Sequence, residues 1–302
     1  MTVQPGIFAL GTTDHCYLEL DRTADLAVLV KAVANVVAGF ETTAGVDLVA
    51  GFRPSLWADA APAEHVPAKV EDWLEPVIGP DGFTMPVTPH DVWLWIAGGD
   101  RGAVFDASQQ VIDALRPTAK VATEIGGWVY QHDRDLTGFI DGTENPKPFE
   151  AATVVPVPVG QPGAGSSVVL YQLWSHNSAK WLSESTETQE RAMGRTKADS
   201  VELDESVMPA DSHVSRTVVE VDGEEQHIFR RNVAFGGVSE HGTVFVGFSH
   251  DQWRMAEMLR RMAGVGDGIR CALTRYVTPT TGAYYTIPSV EALAGFGDPE
   301  ED

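Results

Sequence analysis

The sequence predicts an α+β protein made of two ferredoxin-like (βαββαβ) halves with antiparallel sheets. First, its 302 residues, of which 43% are hydrophobic and 21% charged, are enough for a large core and two domains. Second, residues 1–137 alternate strand-like apolar runs with two amphipathic helical stretches. Third, a similar alternation begins again after residue 165, although the residues themselves do not repeat.

The first half supplies six elements in the expected order. Its clearest helix carries apolar residues at i, i+3, i+4, i+7 and i+11 starting from Leu26, and Gly39 follows where a helix would end. The proline-rich region 53–90 is predicted to be irregular. The six predicted elements are strand 6–20, helix 24–38, strand 46–52, strand 92–97, helix 102–115 and strand 121–131.

The second half repeats the pattern after a connection rich in proline, glycine and valine. Thr186 and Gln189 have the spacing of a capping box, and Asp222-Gly223 is typical of a hairpin turn. The predicted elements are strand 167–173, helix 186–193, strands 214–221 and 226–229, strand 243–248 and helix 251–263. We therefore predict an N-terminal ferredoxin-like domain at 1–137, a loop and connection at 138–165, and a C-terminal ferredoxin-like domain at 166–302.

Net charge and composition limit the kinds of partner that the protein is expected to bind. A net charge of −22 and a pI near 4.6 argue against nucleic acid or an anionic membrane, because phosphate would repel the protein. Residues 1–10 lack the features of a signal peptide and no apolar run could span a membrane, so a cytoplasmic location is expected. Cys16 and Cys271 support neither a disulfide framework nor a zinc site. A small neutral or cationic ligand is expected.

The stretch GFIDGTENP, 138–146, places a carboxylate directly after an apolar pair. Gly138 and Gly142 let the backbone turn, and Pro146 prevents a helix, so we expect a fixed loop that presents Asp141. An isolated Gly-x-x-Asp-Gly is more often a turn whose acid caps a local N–H. The functional interpretation of Asp141 therefore depends on the rest of the chain.

His213 differs from the other histidines of the sequence. The sequence lacks the common motifs of zinc proteases, α/β-hydrolases, phosphate loops and dinucleotide-binding folds. His213 lies in DSHVSR, 211–216, where it is predicted to begin a strand directly before an apolar face. A haem iron requires a neutral imidazole that projects from a rigid element into an apolar slot. His213 is therefore a candidate haem ligand.

Several motifs together resemble those of dye-decolourising peroxidases, which are haem enzymes. They occur in the family order between positions 138 and 289, whereas the first 137 residues match mainly in length and predicted pattern. The chain resembles the bacterial B-type members in its short length and in its lack of an export signal. The motifs are GFIDGTENP at 138–146, MGRTK at 193–197, SHVSR at 212–216, FRRN at 229–232 and TGAYY at 281–285.

The resemblance implies a haem pocket in the C-terminal half, with one haem b per chain. His213 would be the axial ligand to the iron, and Arg195 would approach a haem propionate. Asp141, Arg230 and Asn232 would lie above the iron as the catalytic residues of the distal pocket. The resemblance also implies assembly into a homo-oligomer.

The implied activity is reduction of hydrogen peroxide, with oxidation of dyes, phenols or other one-electron donors through a ferryl intermediate. Asp141 would carry a proton, Arg230 would stabilise developing negative charge, and Asn232 would orient peroxide. Two alternatives stay open, namely a non-enzymatic haem carrier or storage protein and a deferrochelatase-like release of iron from haem. A carrier has no need of the three residues together, so the sequence favours the peroxidase.

One departure from the family pattern concerns the axial histidine. Family members often carry an acid near position 271 that is thought to hydrogen-bond this histidine, and the present sequence has Cys271. A carboxylate partner makes a histidine ligand more basic. The sequence alone therefore does not determine the hydrogen-bond partner of His213 or the redox potential of the haem iron.

Overall fold

The structure is a computed structural model that describes residues 1–40 and 45–298. The strands are β1 (Asp14–Arg22), β2 (Val46–Phe52), β3 (Val77–Ile78), β4 (Thr84–Met85), β5 (Val92–Gly98), β6 (Ala119–Trp128), β7 (Ser167–His176), β8 (Glu220–Val221), β9 (Glu224–Glu225), β10 (Phe229–Arg230), β11 (Val233–Gly236), β12 (His241–Ser249), β13 (Val277–Pro279) and β14 (Ala283–Ile287). The helices are α1 (Leu26–Ala38), α2 (Pro54–Ala60), α3 (Arg101–Leu115), α4 (Pro148–Val154), α5 (Ser178–Ser183), α6 (Thr186–Met193), α7 (His213–Thr217), α8 (Gln252–Met262) and α9 (Val290–Ala294). Within the described ranges, no helix is both long and apolar enough to cross a membrane.

The first half forms an antiparallel sheet with the strand order β6-β1-β5-β2. Its outer face packs against α1 and α3 through an aliphatic cluster that includes Leu18, Val33 and Leu94. Asp100 begins α3, because its carboxylate accepts the N–H of Ala103 at 2.9 Å. This strand order and the two covering helices are those of a ferredoxin-like unit.

The second half repeats the arrangement with the strand order β14-β7-β12-β11. Helix α8 lies on the outer face of this sheet and buries Met255, Met258 and Leu259 against it. The predicted α+β fold with two ferredoxin-like halves and antiparallel sheets is therefore confirmed.

The two sheets join at both edges into one closed sheet. Strand β6 pairs with β11 on one side, and β2 pairs with β14 on the other through Thr286 and Phe52. The eight strands enclose an aromatic core, in which Tyr17 lies 5.7 Å from Tyr171 between ring centroids. Because the interior is filled, any large cavity must lie on an outer face of the sheet.

The segment after Ser212 differs from the prediction. The strand predicted at 214–221 is wrong over most of its length, since His213 begins helix α7 and only β8 remains extended. The Ser212 hydroxyl accepts the N–H of Ser215 at 3.2 Å, which is an N-cap that starts a helix. The predicted hairpin turn at Asp222-Gly223 is present between β8 and β9.

Two further boundaries differ in the first half. The strand predicted at 6–20 begins only at Asp14, because Pro5–Phe8 forms a 3₁₀ turn. The region 53–90, predicted to be irregular, contains helix α2 and the short pair β3–β4. Neither difference changes the order of the sheet.

Candidate active site

A cavity opens on the outer face of the C-terminal sheet, walled by β7, β12, α7, α8 and the loop 129–146. The space inside it, including the open mouth, is about 1060 Å³. Phe245, Met258 and Leu259 give it apolar walls. The cavity is lined by all five residues that the sequence predicted for the site, which are Asp141, Arg195, His213, Arg230 and Asn232.

The glycine-flanked loop fixes the Asp141 carboxylate. Gly138 and Gly142 have φ of 90° and 74°, and a Cβ at Gly138 would lie 2.8 Å from Cε of Lys197. The N–H of Gly142 donates to Oδ1 of Asp141 at 2.7 Å, and Nδ2 of Asn232 donates to the same oxygen at 3.3 Å. The carboxylate is therefore held both by its own loop and by a side chain from the sheet.

The pKa of Asp141 is raised to about 6, mainly by burial and also by the nearby charge of Asp135. Hydrogen bonds from Asn232 and Gly142 and the charge of Arg230 oppose this shift. Desolvation is the largest of these effects, so the net pKa is raised. A carboxyl group with this pKa can accept and release a proton near neutral pH.

Arg230 and Asn232 point into the cavity, whereas Arg231 between them donates to backbone carbonyls of the N-terminal turn. Asn145 fixes the backbone of Arg230, since its Oδ1 accepts the Arg230 N–H at 2.8 Å and its Nδ2 donates to the Arg230 carbonyl at 2.9 Å. Both side chains line the cavity, with Arg230 at the end of β10 and Asn232 in the gap before β11.

His213 projects into the cavity from the first turn of α7. The pKa of His213 is lowered to about 4, mainly by burial and also by the charges of Arg230 and Arg195, whereas the charge of Asp135 opposes this shift. The imidazole is therefore neutral at physiological pH. Neutral imidazole is the form that binds a metal.

Cys271 lies beside the His213 ring. Its Sγ is 3.6 Å from Nδ1 of His213, within hydrogen-bonding distance for sulfur. Burial raises the pKa of the Cys271 thiol to about 11, so the group next to the imidazole is a neutral thiol. Arg216 anchors the same helix through two hydrogen bonds to Asp267 at 2.7 and 3.1 Å. The position of His213 is thus fixed mainly by its helix.

Arg195 lies at the rim of the cavity, directly after the left-handed Gly194 that ends α6. Its guanidinium forms ion pairs with Glu144 and, at 3.1 Å, with Glu202, and donates to the carbonyl of Ser200 at 2.7 Å. The cation is therefore already paired with two carboxylates of the protein. An anionic ligand group would share or displace them.

Several polar residues of the cavity were not predicted from the sequence. Alternation along β7 places Gln172 and His176 on the cavity side, but the apolar run around them resembled a fully buried strand. Within the described residues, neither the nitrogen nor the oxygen of the buried Gln172 amide has a hydrogen-bond partner. Such a group marks a place where a further polar partner can bind. The residues not predicted include Asp135, Gln172, His176 and Thr243.

Comparison with known proteins shows the class. The family model for the Dyp-type peroxidase C-terminal region matches residues 132–292. Dye-decolorizing peroxidases of Mycolicibacterium paratuberculosis and Mycobacterium tuberculosis are 33% identical over 275 residues, covering 89% of this chain and 75% of the relative, and 32% identical over 280 residues, covering 90% and 81%. The fold and these matches define a peroxidase.

Solved structures agree with this result. DyPB from Rhodococcus jostii RHA1 has a TM-score of 0.87 at 32% identity, with 95% of this chain and 96% of that chain covered. The dye-decolorizing protein from V. cholerae has a TM-score of 0.86 at 30% identity, with 96% and 98% covered. The chain belongs to the Dyp-type peroxidase family and is a dye-decolorizing-type peroxidase, as the sequence motifs predicted.

Proposed function

We propose that the protein binds one haem b in this cavity and reduces hydrogen peroxide with electrons from a small-molecule donor such as a dye or a phenol. The observation that carries the proposal is one cavity that contains a neutral histidine, His213, together with Asp141, Arg230 and Asn232. A variant of R. jostii DypB, which has a TM-score of 0.87 with this chain, was solved in complex with heme.

The residues present fit such a cofactor. His213 supplies a buried neutral imidazole as the iron ligand, and Phe245 and Met258 supply apolar walls for the macrocycle. Arg195 supplies a cation at the rim for a propionate, provided that Glu144 gives up its place. The unpaired amide of Gln172 adds a polar contact within the same cavity.

Asp141, Arg230 and Asn232 would then have separate roles in the reduction of peroxide. The Asp141 carboxylate accepts a proton from one peroxide oxygen and returns it to the other, which leaves as water. Arg230 stabilises the negative charge that develops on the leaving oxygen, and Asn232 orients peroxide while it also donates to Asp141. Haem, when bound, supplies the iron that passes oxidising equivalents from peroxide to the donor. The ferryl intermediate implied by the family resemblance stays a prediction.

Neither alternative function accounts for these three residues. A haem carrier or storage protein needs the ligand and the apolar walls, but no acid with a pKa near 6 beside a guanidinium. Release of iron from haem, the deferrochelatase-like alternative, gains no specific support from the geometry. The division of the chain at 137 and 165, the homo-oligomer and the cytoplasmic location stay predictions.

The proposal is tested with protein produced in the presence of haem. The wild type should show a Soret band and oxidise a phenolic donor only when hydrogen peroxide is present, and His213→Ala should lose stable haem binding because it removes the imidazole that would hold the iron. Absorption spectra and haem content measure both effects. Normal haem content in the variant would show that a residue other than His213 binds the iron. A wild type that holds haem but oxidises no donor would support haem binding and contradict the peroxidase activity.

A further inference from the structure

Asp135 is a second carboxylate in the cavity, and peroxide reduction as described above does not use it. Its Oδ1 accepts the N–H of Thr137 at 2.8 Å, and its Oδ2 accepts the hydroxyl of Thr243. Its charge is close enough to Asp141 to raise the pKa of that acid. The two carboxylates are therefore electrostatically coupled across the cavity.

Thr243 connects this carboxylate to His176. The Thr243 Oγ1 lies 3.0 Å from Nε2 of His176 and also donates to Asp135. A hydroxyl has one hydrogen, and an ionised carboxylate can only accept, so the Thr243 hydrogen belongs to the bond with Asp135. Nε2 of His176 must then carry a hydrogen and donate it to Thr243. The geometry thus fixes both the direction of the chain and the tautomer of the histidine.

The chain of hydrogen bonds lies along the wall of the cavity, because Asp135, Thr243 and His176 all line it. His176 is the last residue of β7 and precedes the exposed Asn177. The His176 end of the chain therefore adjoins a residue in contact with solvent, and the charge at the Asp135 end acts on Asp141.

The charges along the chain suit transfer in this direction. Burial raises the pKa of Asp135, but the His176 charge and the hydrogen bonds from Thr243 and Thr137 outweigh it, so the net pKa is lowered. Burial lowers the pKa of His176, the Asp135 charge raises it, and that of His241 lowers it. At neutral pH the resting chain is a carboxylate, a hydroxyl and a neutral imidazole. The titratable groups that face it are Asp141 on the loop, His213 on α7 and His241 on β12.

We propose that His176, Thr243 and Asp135 form a proton relay that delivers solvent protons to the cavity during peroxide reduction, an inference that rests on the proposed function. Reduction of one hydrogen peroxide to two waters consumes two electrons, which the donor supplies, and two protons. A donor that gives up only electrons supplies neither proton, whereas a phenol also loses one proton for each electron. With a donor that gives up only electrons, the relay supplies both protons, one in each passage.

Each passage conserves protons. His176 takes a proton from solvent on Nδ1, its Nε2–H bond breaks, and an O–H bond forms at Thr243. The original Thr243 hydrogen moves to Oδ2 of Asp135, and the resulting acid gives it to Asp141 or to a peroxide-derived oxygen that leaves as water. The His176 ring regains its Nε2–H form by exchange with solvent.

A matched pair of variants at Thr243 tests the relay. Thr243→Val removes the hydroxyl with little change in size, whereas Thr243→Ser keeps it. With equal haem content, Thr243→Val should lower kcat at saturating peroxide and donor by about 100-fold, the lower end of what a positioned proton-transfer group typically contributes. Thr243→Ser should retain most of the rate and the solvent deuterium isotope effect of the wild type. His250→Ala, at a half-buried histidine outside the cavity lining, should leave the rate unchanged.

A second variant and a second measurement make the test independent of one substitution. His176→Ala should lower kcat at saturating peroxide and donor, as Thr243→Val does. In the cofactor-free wild type, ¹⁵N NMR should find His176 as the Nε2–H tautomer. An Nδ1–H tautomer, or equal rates and isotope effects for the two Thr243 variants, would overturn the relay. A wild type that oxidises no donor would overturn the proposed function instead, and the NMR result would still decide whether the hydrogen-bond chain exists.

Discussion

Burial of the Asp141 carboxylate lowers the stability of the fold at neutral pH and gives the residue a pKa suited to proton transfer. Its loop presents a carboxylate to a cavity, and desolvation raises its pKa from the ordinary value of 3.8 to about 6. The sequence predicted the loop and the acid, because glycine and proline positions are local signals. It could not predict the pKa, since burial, Asp135 and Arg230 come from different parts of the chain.

Asp141→Asn should stabilise the cofactor-free protein at neutral pH. The folded pKa lies above the ordinary one, so the acid favours the folded state below about pH 4, and this contribution is lost as pH rises through 6. A shift of about two units corresponds to at most about 3 kcal/mol. Thermal unfolding at pH 7.5 should show a higher Tm for the variant, with the difference vanishing near pH 4. A variant that is less stable than the wild type at pH 7.5 would contradict the assigned shift.

The rate of the peroxide-consuming step should fall as pH decreases through about 6, because only the Asp141 carboxylate can accept a proton. Rapid mixing of the haem-loaded protein with peroxide measures this step apart from dye turnover, which has its own proton dependence. Asp141→Asn is the control and should lack the transition. A transition that persists unchanged in that variant would assign it to another group.

Among the elements, long periodic ones were predicted within a few residues. The apolar stripes of α1, α3 and α8 and the runs of β5 and β7 are local patterns that the fold preserves. Helix α7 was missed because it has five residues and is held by contacts across the fold. Arg216 on α7 reaches Asp267 and the carbonyl of Arg261, neither of which is near it in sequence. The ligand segment thus depends on tertiary contacts.

Ser212→Ala should loosen the haem ligand through the helix that carries it. Removal of the cap costs about 1 kcal/mol and frees the first turn, where His213 lies. Ser289→Ala is a matched control, since Ser289 is also fully buried and caps α9 by accepting the N–H of Ala292 at 3.1 Å. Both variants should lose similar stability, and only Ser212→Ala should transfer haem faster to a haem-accepting protein. Equal rates of haem transfer in the two variants would show that the Ser212 cap does not affect how firmly His213 holds haem.

At the scale of the whole molecule, the order of elements was predicted but their closure was not. Each ferredoxin-like half follows from strand and helix periodicity, whereas β2–β14 and β6–β11 pair residues far apart in sequence. Edge pairing of this kind leaves no local pattern, because a strand buried on both faces has the same apolar run in either arrangement. The position of the cavity could not be predicted either, because it depends on how the edges of the two sheets pair.

Overall charge gives the last prediction, which concerns the choice of electron donor. With 43 acidic and 21 basic residues, the protein carries a net charge of −22 and should attract cationic donors from solution. Raising the ionic strength from 0.01 to 0.15 M shortens the screening length from about 30 to about 8 Å. For a cationic donor kcat/KM should fall by about tenfold, and for an anionic donor of similar size it should rise. Hydrogen peroxide is neutral, so its own kcat/KM in the same assays is the internal control and should stay constant. A cationic donor whose kcat/KM does not respond to salt would mean that oxidation occurs where the acidic surface has no influence, inside the cavity beside Arg230 and Arg195.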